Sequence, residues 1–202
     1  MSSKKAFIIV TIVLAAVGIT VMSFKETPAH HVKVASLPKD SVGSVKAFMQ
    51  IYKVLMSSRC MNCHPSGDVP LQGDDHYLHS MGVKRGPDGK GLYAMKCSNC
   101  HQAENSPGLH TPPGNAKWGL PPANMRMVFQ GRTPRQLALQ ILDLKQNGGR
   151  TKKQLIEHMT SDALVSWGWH PGPGRTLPPL SHPAFSAQVK LWIDKGAYAP
   201  AK

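Results

Sequence analysis

Apolar positions along this 202-residue chain form one uninterrupted run near the start and four spaced stripes further on. The run is Ala6 to Phe24, nineteen residues without a charge, preceded by Lys4 and Lys5. At about 1.5 Å per helical residue it would reach roughly 29 Å, close to the thickness of a bilayer core. The two lysines ahead of it predict a cytoplasmic N-terminus and an exported remainder. A removed signal peptide is the alternative, which a shorter apolar region and a small-x-small site would mark. Ser23-Phe24-Lys25-Glu26 follows instead, and Thr27-Pro28-Ala29 is the nearest candidate. Residues 1–24 therefore read as a membrane anchor or signal segment, and 25–38, with His30 and His31, as a polar linker.

The four stripes predict amphipathic helices. Asp40 or Ser41 can cap the first, which carries Val45, Phe48, Met49, Tyr52, Leu55 and Met56 and runs into Cys60. Thr133-Pro134 supplies an N-cap and an N1 proline to the second, with Leu137, Ile141, Leu142 and Leu144 behind them and Gly148 as the stop. Thr151 caps the third, with Leu155, Ile156 and Met159 on one face. Ser181 or His182, followed by Pro183, opens the fourth, with Phe185, Val189, Trp192 and Ile193, and Gly196 ends it. Between these stripes, 64–90 and 102–124 carry the Gly, Pro, Asp and His of loops, and Arg85-Gly86-Pro87-Asp88-Gly89-Lys90-Gly91 closes the first of them. Leu92 to Lys96 reads as a further short helix. No alternating pattern predicts a strand. The expected fold is all-α and loop-rich, behind an N-terminal transmembrane helix.

Charge narrows the choice of partners. The chain has 24 Lys and Arg against 11 Asp and Glu; setting aside Lys4 and Lys5 leaves 22, a formal +11 for the exported part. Such a surface favours an acidic partner or an anionic membrane. Nucleic acid does not fit, because the basic residues are scattered and export removes them from the cytoplasm.

The chemistry lies in the four cysteines. Cys60-Met61-Asn62-Cys63-His64 and Cys97-Ser98-Asn99-Cys100-His101 both read C-x-x-C-H and use every cysteine in the chain. This spacing is the attachment signature of a c-type haem. Each thiol can add across one vinyl group, and the following histidine can supply the proximal nitrogen to iron. A four-thiolate zinc site is a rival, but its usual gap is about 15–20 residues. Here 33 residues separate Cys63 from Cys97, and zinc gives no reason for a histidine after each pair. A thioredoxin-like redox pair lacks its βαβ surroundings, and C-x-x-C pairs are poor geometry for stapling distant segments.

On these motifs the chain resembles c-type cytochromes over most of its length beyond residue 38. The resemblance implies two covalent haem c groups, proximal ligands His64 and His101, and cytochrome c-like haem cores within a dihaem domain over 39–202. Haem 1 is expected around 40–85, haem 2 around 86–147, and C-terminal helices over 148–202. Four propionates would lower the net charge to about +7.

The sixth ligands are the open assignment. Met125-Arg126-Met127-Val128-Phe129-Gln130-Gly131 follows Pro121 and Pro122 and precedes a capped helix. It resembles the methionine loop of class I cytochromes c, although Met127 comes only 26 positions after His101. That resemblance implies Met127 at haem 2, with Met125 as the alternative, or both merely packed on the porphyrin. For haem 1, His79 is the candidate, in a loop with His76 and Met81; fifteen residues from His64 suffice to round a haem edge. His110 and His158 are alternatives, any of His79, His110 and His158 could instead ligate haem 2, His170 and His182 rank below them, and an open sixth position at haem 1 is a further alternative. With methionine at haem 2 and histidine at haem 1, haem 2 has the higher potential. Two bis-histidine irons would remove that ordering.

Trp167-Gly168-Trp169-His170-Pro171-Gly172-Pro173-Gly174-Arg175 is the other conspicuous cluster, either a haem wall with Arg175 pairing a propionate or a packed surface loop. With the Arg85–Gly89 run it is similar to dihaem cytochrome subunits of isoquinoline 1-oxidoreductase-type molybdenum hydroxylases, which implies a partner enzyme. The expected function is a membrane-anchored periplasmic carrier of single electrons between redox proteins. No nucleophile–base pair, carboxylate dyad or phosphate loop points to an enzyme. The rivals are a dedicated subunit of a periplasmic dehydrogenase, a small dihaem peroxidase, and a soluble periplasmic protein after signal cleavage.

Overall fold

Helix α1, Ser41–Leu55, begins where its sequence offers a cap: the Asp40 carboxylate accepts from the Gly43 amide at 2.8 Å. It buries Ser44, Ala47, Phe48, Ile51, Val54 and Leu55. The computed structural model describes residues 39–201. Within them the most extensive contact between elements joins α1 to the C-terminal helix α6, His182–Asp194. Phe48 and Trp192, both fully buried, meet with ring centroids 4.8 Å apart. The Ser44 hydroxyl donates to Trp192 O at 3.0 Å and accepts from the Tyr198 amide at 2.9 Å. Small residues at 44 and 47 let the two helices approach, which is why the buried face lies one step round from the larger residues Val45, Met49 and Tyr52. Asp40 also pairs with Lys195, tying the start of α1 to the end of α6.

Two further helices close the core. Helix α3, Pro134–Leu142, and helix α4, Lys152–Ser161, both open on capping boxes, Thr133 with Gln136 and Thr151 with Gln154. Leu137, Ala138 and Ile141 of α3 and Leu155 and Met159 of α4 join Phe48, Ile51, Phe185, Val189 and Trp192 in one cluster. Helix α3 ends at Asp143, earlier than the Gly148 stop. The cause is Asn147, buried and held by its own amide to Ile141 O and Arg150 O, which turns the chain before Gly148. Two short helices were not signalled by periodicity: α2, Ser58–Met61, which carries Cys60, and α5, Ala163–Trp167, capped by Asp162.

The all-α expectation is corrected. Two antiparallel pairs of two-residue strands lie between the motifs, β1 (Leu71–Gln72) with β2 (Tyr77–Leu78) and β3 (Gly91–Leu92) with β4 (Met95–Lys96). The short helix expected over 92–96 is in fact the second hairpin, followed by a 3-10 turn, Cys97–Asn99. Strands of two residues are too short to display a period of two. The turn of the second hairpin sets Tyr93 at φ 49°, without the Asn-Gly that usually signals it. The expected N-terminal transmembrane helix is not among the described elements: no helix among the described residues is long and apolar enough to cross a membrane. Ala6–Phe24, on which it rested, lies outside the described residues, as do the linker, His30 and His31.

The loop between the hairpins is clamped by Arg85. Its side chain is 1 % exposed, and it donates to Pro121 O at 2.6 Å and Gly67 O at 3.0 Å. Gly89, at φ 78°, lies where a Cβ would fall 2.0 Å from Leu120 O, so only glycine lets the 85–91 loop lie against Pro121.

Candidate haem sites

Cys60, Cys63 and His64 line one cavity of about 300 Å³, walled mainly by apolar side chains. Leu55, Phe129, Ile141, Leu155, Met159, Trp167, Trp169 and Phe185 contribute to that wall, so elements from both ends of the chain enclose the first motif. The His64 imidazole stacks on Phe129, with centroids 3.8 Å apart and planes 9° from parallel. Its Nδ1 donates to Met127 O at 2.6 Å, which leaves the Nε2 lone pair free. Burial holds this imidazole neutral, with its pKa pushed down to about 4. The same burial pushes the Cys60 thiol up to about 12 and the Cys63 thiol to about 11, so both are protonated at neutral pH.

Arg59 also lines this cavity, with its guanidinium paired to Asp74. Its Nε is buried and has no hydrogen-bond partner. Asp74 is fixed in turn by the Thr176 hydroxyl at 2.6 Å and the Thr176 amide at 3.0 Å. The hydroxyl contact chiefly holds its carboxyl below the ordinary range.

The second motif has the same imidazole arrangement in a different setting. His101 Nδ1 donates to Pro113 O at 2.6 Å, and the ring stacks on Trp118 with centroids 4.6 Å apart. Burial lowers its pKa as well. The adjoining hollow, about 410 Å³, is polar, with Asp88, Lys90, Lys96, Ser98, Gln102 and Asn115 beside Trp118. Cys100 is exposed and Cys97 half-buried. Around this motif Tyr77, Leu78, Met81, Tyr93 and Met95 all present apolar surface to solvent, Tyr93 at 90 %.

Two links join the sites. Asn62, inside the first motif, donates its amide to Gly73 O at 2.8 Å, and its side-chain oxygen accepts from His76 Nδ1 at 2.9 Å. Its backbone carbonyl accepts from the Leu71 amide at 3.0 Å. The β1–β2 hairpin is thereby rooted on the first motif. The second link is aromatic: Trp118, under His101, meets Trp167 edge-to-face at 4.7 Å, and Trp167 lines the first cavity.

The sequence-derived distal candidates divide between the sites in an unexpected way. Met127, expected at haem 2, lies instead beside His64; its carbonyl holds that imidazole and its sulfur accepts from Gln140 Nε2 at 3.2 Å. Met125 and His158 line the same cavity. His158 turns Nδ1 toward Asp162 at 3.8 Å, and burial lowers its pKa. His79, expected at haem 1, lies beside His101, with ring centroids 6.2 Å apart. His110 is exposed and packs on the Gly174 backbone. The tryptophan cluster splits its roles: Trp167 and Trp169 wall the cavity, while Arg175 donates to Pro171 O and Thr111 O and so binds two loops together. Sequence reasoning missed Phe129, Trp118, Asn62, Arg59 and Asp74, none of which belongs to a periodic pattern.

No family model matches the chain, and neither a curated protein nor a solved structure shows significant similarity to it. The fit of haem c rests on the side chains themselves. Each motif offers two thiols that form no disulfide and an imidazole in the tautomer that coordinates through Nε2. The unpartnered Arg59 Nε suits an anionic oxygen entering the first cavity. Among the described residues no three His, Cys, Asp or Glu side chains gather around one metal position, so the four thiols do not converge as a zinc site requires.

Proposed function

We propose that the chain is an exported dihaem c-type electron carrier, with one haem bound through Cys60, Cys63 and His64 and the other through Cys97, Cys100 and His101. The observation that carries this reading is the repeated imidazole geometry. Both motif histidines give their Nδ1 proton to a backbone carbonyl at 2.6 Å and keep Nε2 for a metal. Haem c supplies an iron that gains and loses one electron.

The chain's own residues do the rest. Cys60, Cys63, Cys97 and Cys100 would hold the two groups covalently through thioether links. Met127 O and Pro113 O orient the proximal rings and strengthen them as ligands. Phe129, Leu155, Trp169 and Phe185 keep water from the first site. The formal charge of +11 beyond Lys5 supports an acidic redox partner, and the uncharged run after Lys4 and Lys5 supports delivery to the periplasmic side of the cytoplasmic membrane.

Reductive titration of the purified, matured protein tests the assignment. Two reversible one-electron equivalents per chain are expected, with slow reaction toward peroxide. Rapid peroxide turnover with a reducing dye would instead make it a peroxidase.

A further inference from the structure

We propose that His79 is the sixth ligand of the second iron, delivered by a hairpin rooted in the first haem motif. This rests on the dihaem reading above and assigns one of its open positions. The ring centroids of His79 and His101 are 6.2 Å apart. Two metal–imidazole bonds of about 2.0 Å, with roughly 1.1 Å from each nitrogen to its ring centre, put coaxial centroids about 6.2 Å apart. The 65° between the ring planes is allowed, because each imidazole can turn about the shared axis.

The backbone fixes His79 from both sides. Its amide donates to Pro70 O at 2.9 Å and its carbonyl accepts from the Gly82 amide at 2.9 Å. Leu78, immediately before it, pairs with Leu71 across the hairpin. The hairpin is held to the first motif through Asn62, by the hydrogen bonds from Leu71 N, to Gly73 O and from His76. His79 is thus positioned from Asn62, a residue inside the motif proposed to hold the other haem. Its ring makes one weak contact, a 3.4 Å hydrogen bond from the Met81 amide to Nδ1. Coordination through Nε2 places a proton on Nδ1 and gives up only that weak contact.

A histidine pair and an exposed setting both favour a low potential at the second iron. The first, in an apolar cavity, then has the higher potential, the reverse of the ordering expected from the sequence.

The test uses the full chain loaded with haem. Carbon monoxide binding to the reduced protein should rise by one equivalent per chain in His79→Ala relative to the parent, and the oxidised spectrum should gain one high-spin haem. His79→Met should restore six-coordination, introduce the red charge-transfer band of methionine-ligated haem c, and raise one of the two potentials. His110→Ala serves as the control and should match the parent. If both His79 variants carry two haems yet keep the parent's carbon monoxide stoichiometry, spin state and potentials, this inference is overturned while the dihaem reading stands. Should His79→Ala fail to accumulate, His79→Met alone decides. A parent protein without haem removes both.

Discussion

The two C-x-x-C-H motifs share their pattern and the hydrogen bond on their histidine but almost nothing of their surroundings. The first sits in a cavity walled by α1, α4, α5, α6 and the 119–129 loop, with its imidazole pKa pushed down to about 4. The second lies in hairpin and loop, next to a polar hollow, with Cys100 exposed. Identical ligating chemistry is therefore placed in two dielectric settings. The helical core is built around one site and the other is attached to it through Asn62 and the Trp118–Trp167 pair. Burial and solvent exposure are among the levers that set haem potential, so under the proposed dihaem reading the surroundings would separate the two irons where the motifs cannot.

The contrast is broken most severely at the α1–α6 crossing. Trp192→Ala removes a fully buried ring against Phe48 and should cost about 3–5 kcal/mol, read from a denaturant midpoint. The first haem's absorbance should be lost in the same transition. A midpoint within error of the parent would mean that this crossing does not support the first site.

Asp74→Asn comes next. It uncovers the buried Arg59 guanidinium and should cost about 1–3 kcal/mol. The linkage has a definite sign. Chiefly through the Thr176 hydroxyl, the folded Asp74 pKa lies below its ordinary value of 3.8. Its contribution is therefore complete above that value and is lost as pH falls through the lower folded pKa. Acid unfolding of the parent should contain this increment, and Asp74→Asn should lack it.

Asn62→Ala sharpens the comparison, since it cuts side-chain bonds that join the two regions. It should cost about 1–2 kcal/mol and, by freeing the hairpin, disturb the second haem's spectrum more than the first. Tyr93→Ser should be the mildest change, within about 0.5 kcal/mol of the parent, because the side chain is 90 % exposed in the second region. A larger loss would show that this region is packed as the first one is.

Much of the first region was legible in the sequence, and little of the second. Asp40, Thr133, Thr151 and Ser181 each cap the helix expected of them, because a cap is a local hydrogen bond that a single residue announces. The buried face of α1 was misjudged because Ser44 and Ala47 are inside for closeness of approach rather than for hydrophobicity. The hairpins left no trace because their order comes from Asn62, Gly89 and the Arg85 clamp, each a contact distant in sequence. For the same reason, nearness along the chain does not match nearness in the fold for Met127 and His79. The segment after the first motif folds toward the second, and the segment after the second returns to His64, where the Phe129 amide donates to His64 O at 2.9 Å.

Counting covalent haem on the mature protein tests the account most directly. Produced in a host that attaches haem to C-x-x-C-H motifs, the chain should carry two haems by pyridine haemochrome and by intact mass. The Cys60→Ser/Cys63→Ser and Cys97→Ser/Cys100→Ser variants should each carry one. A colourless protein at the mass of the bare polypeptide would contradict it.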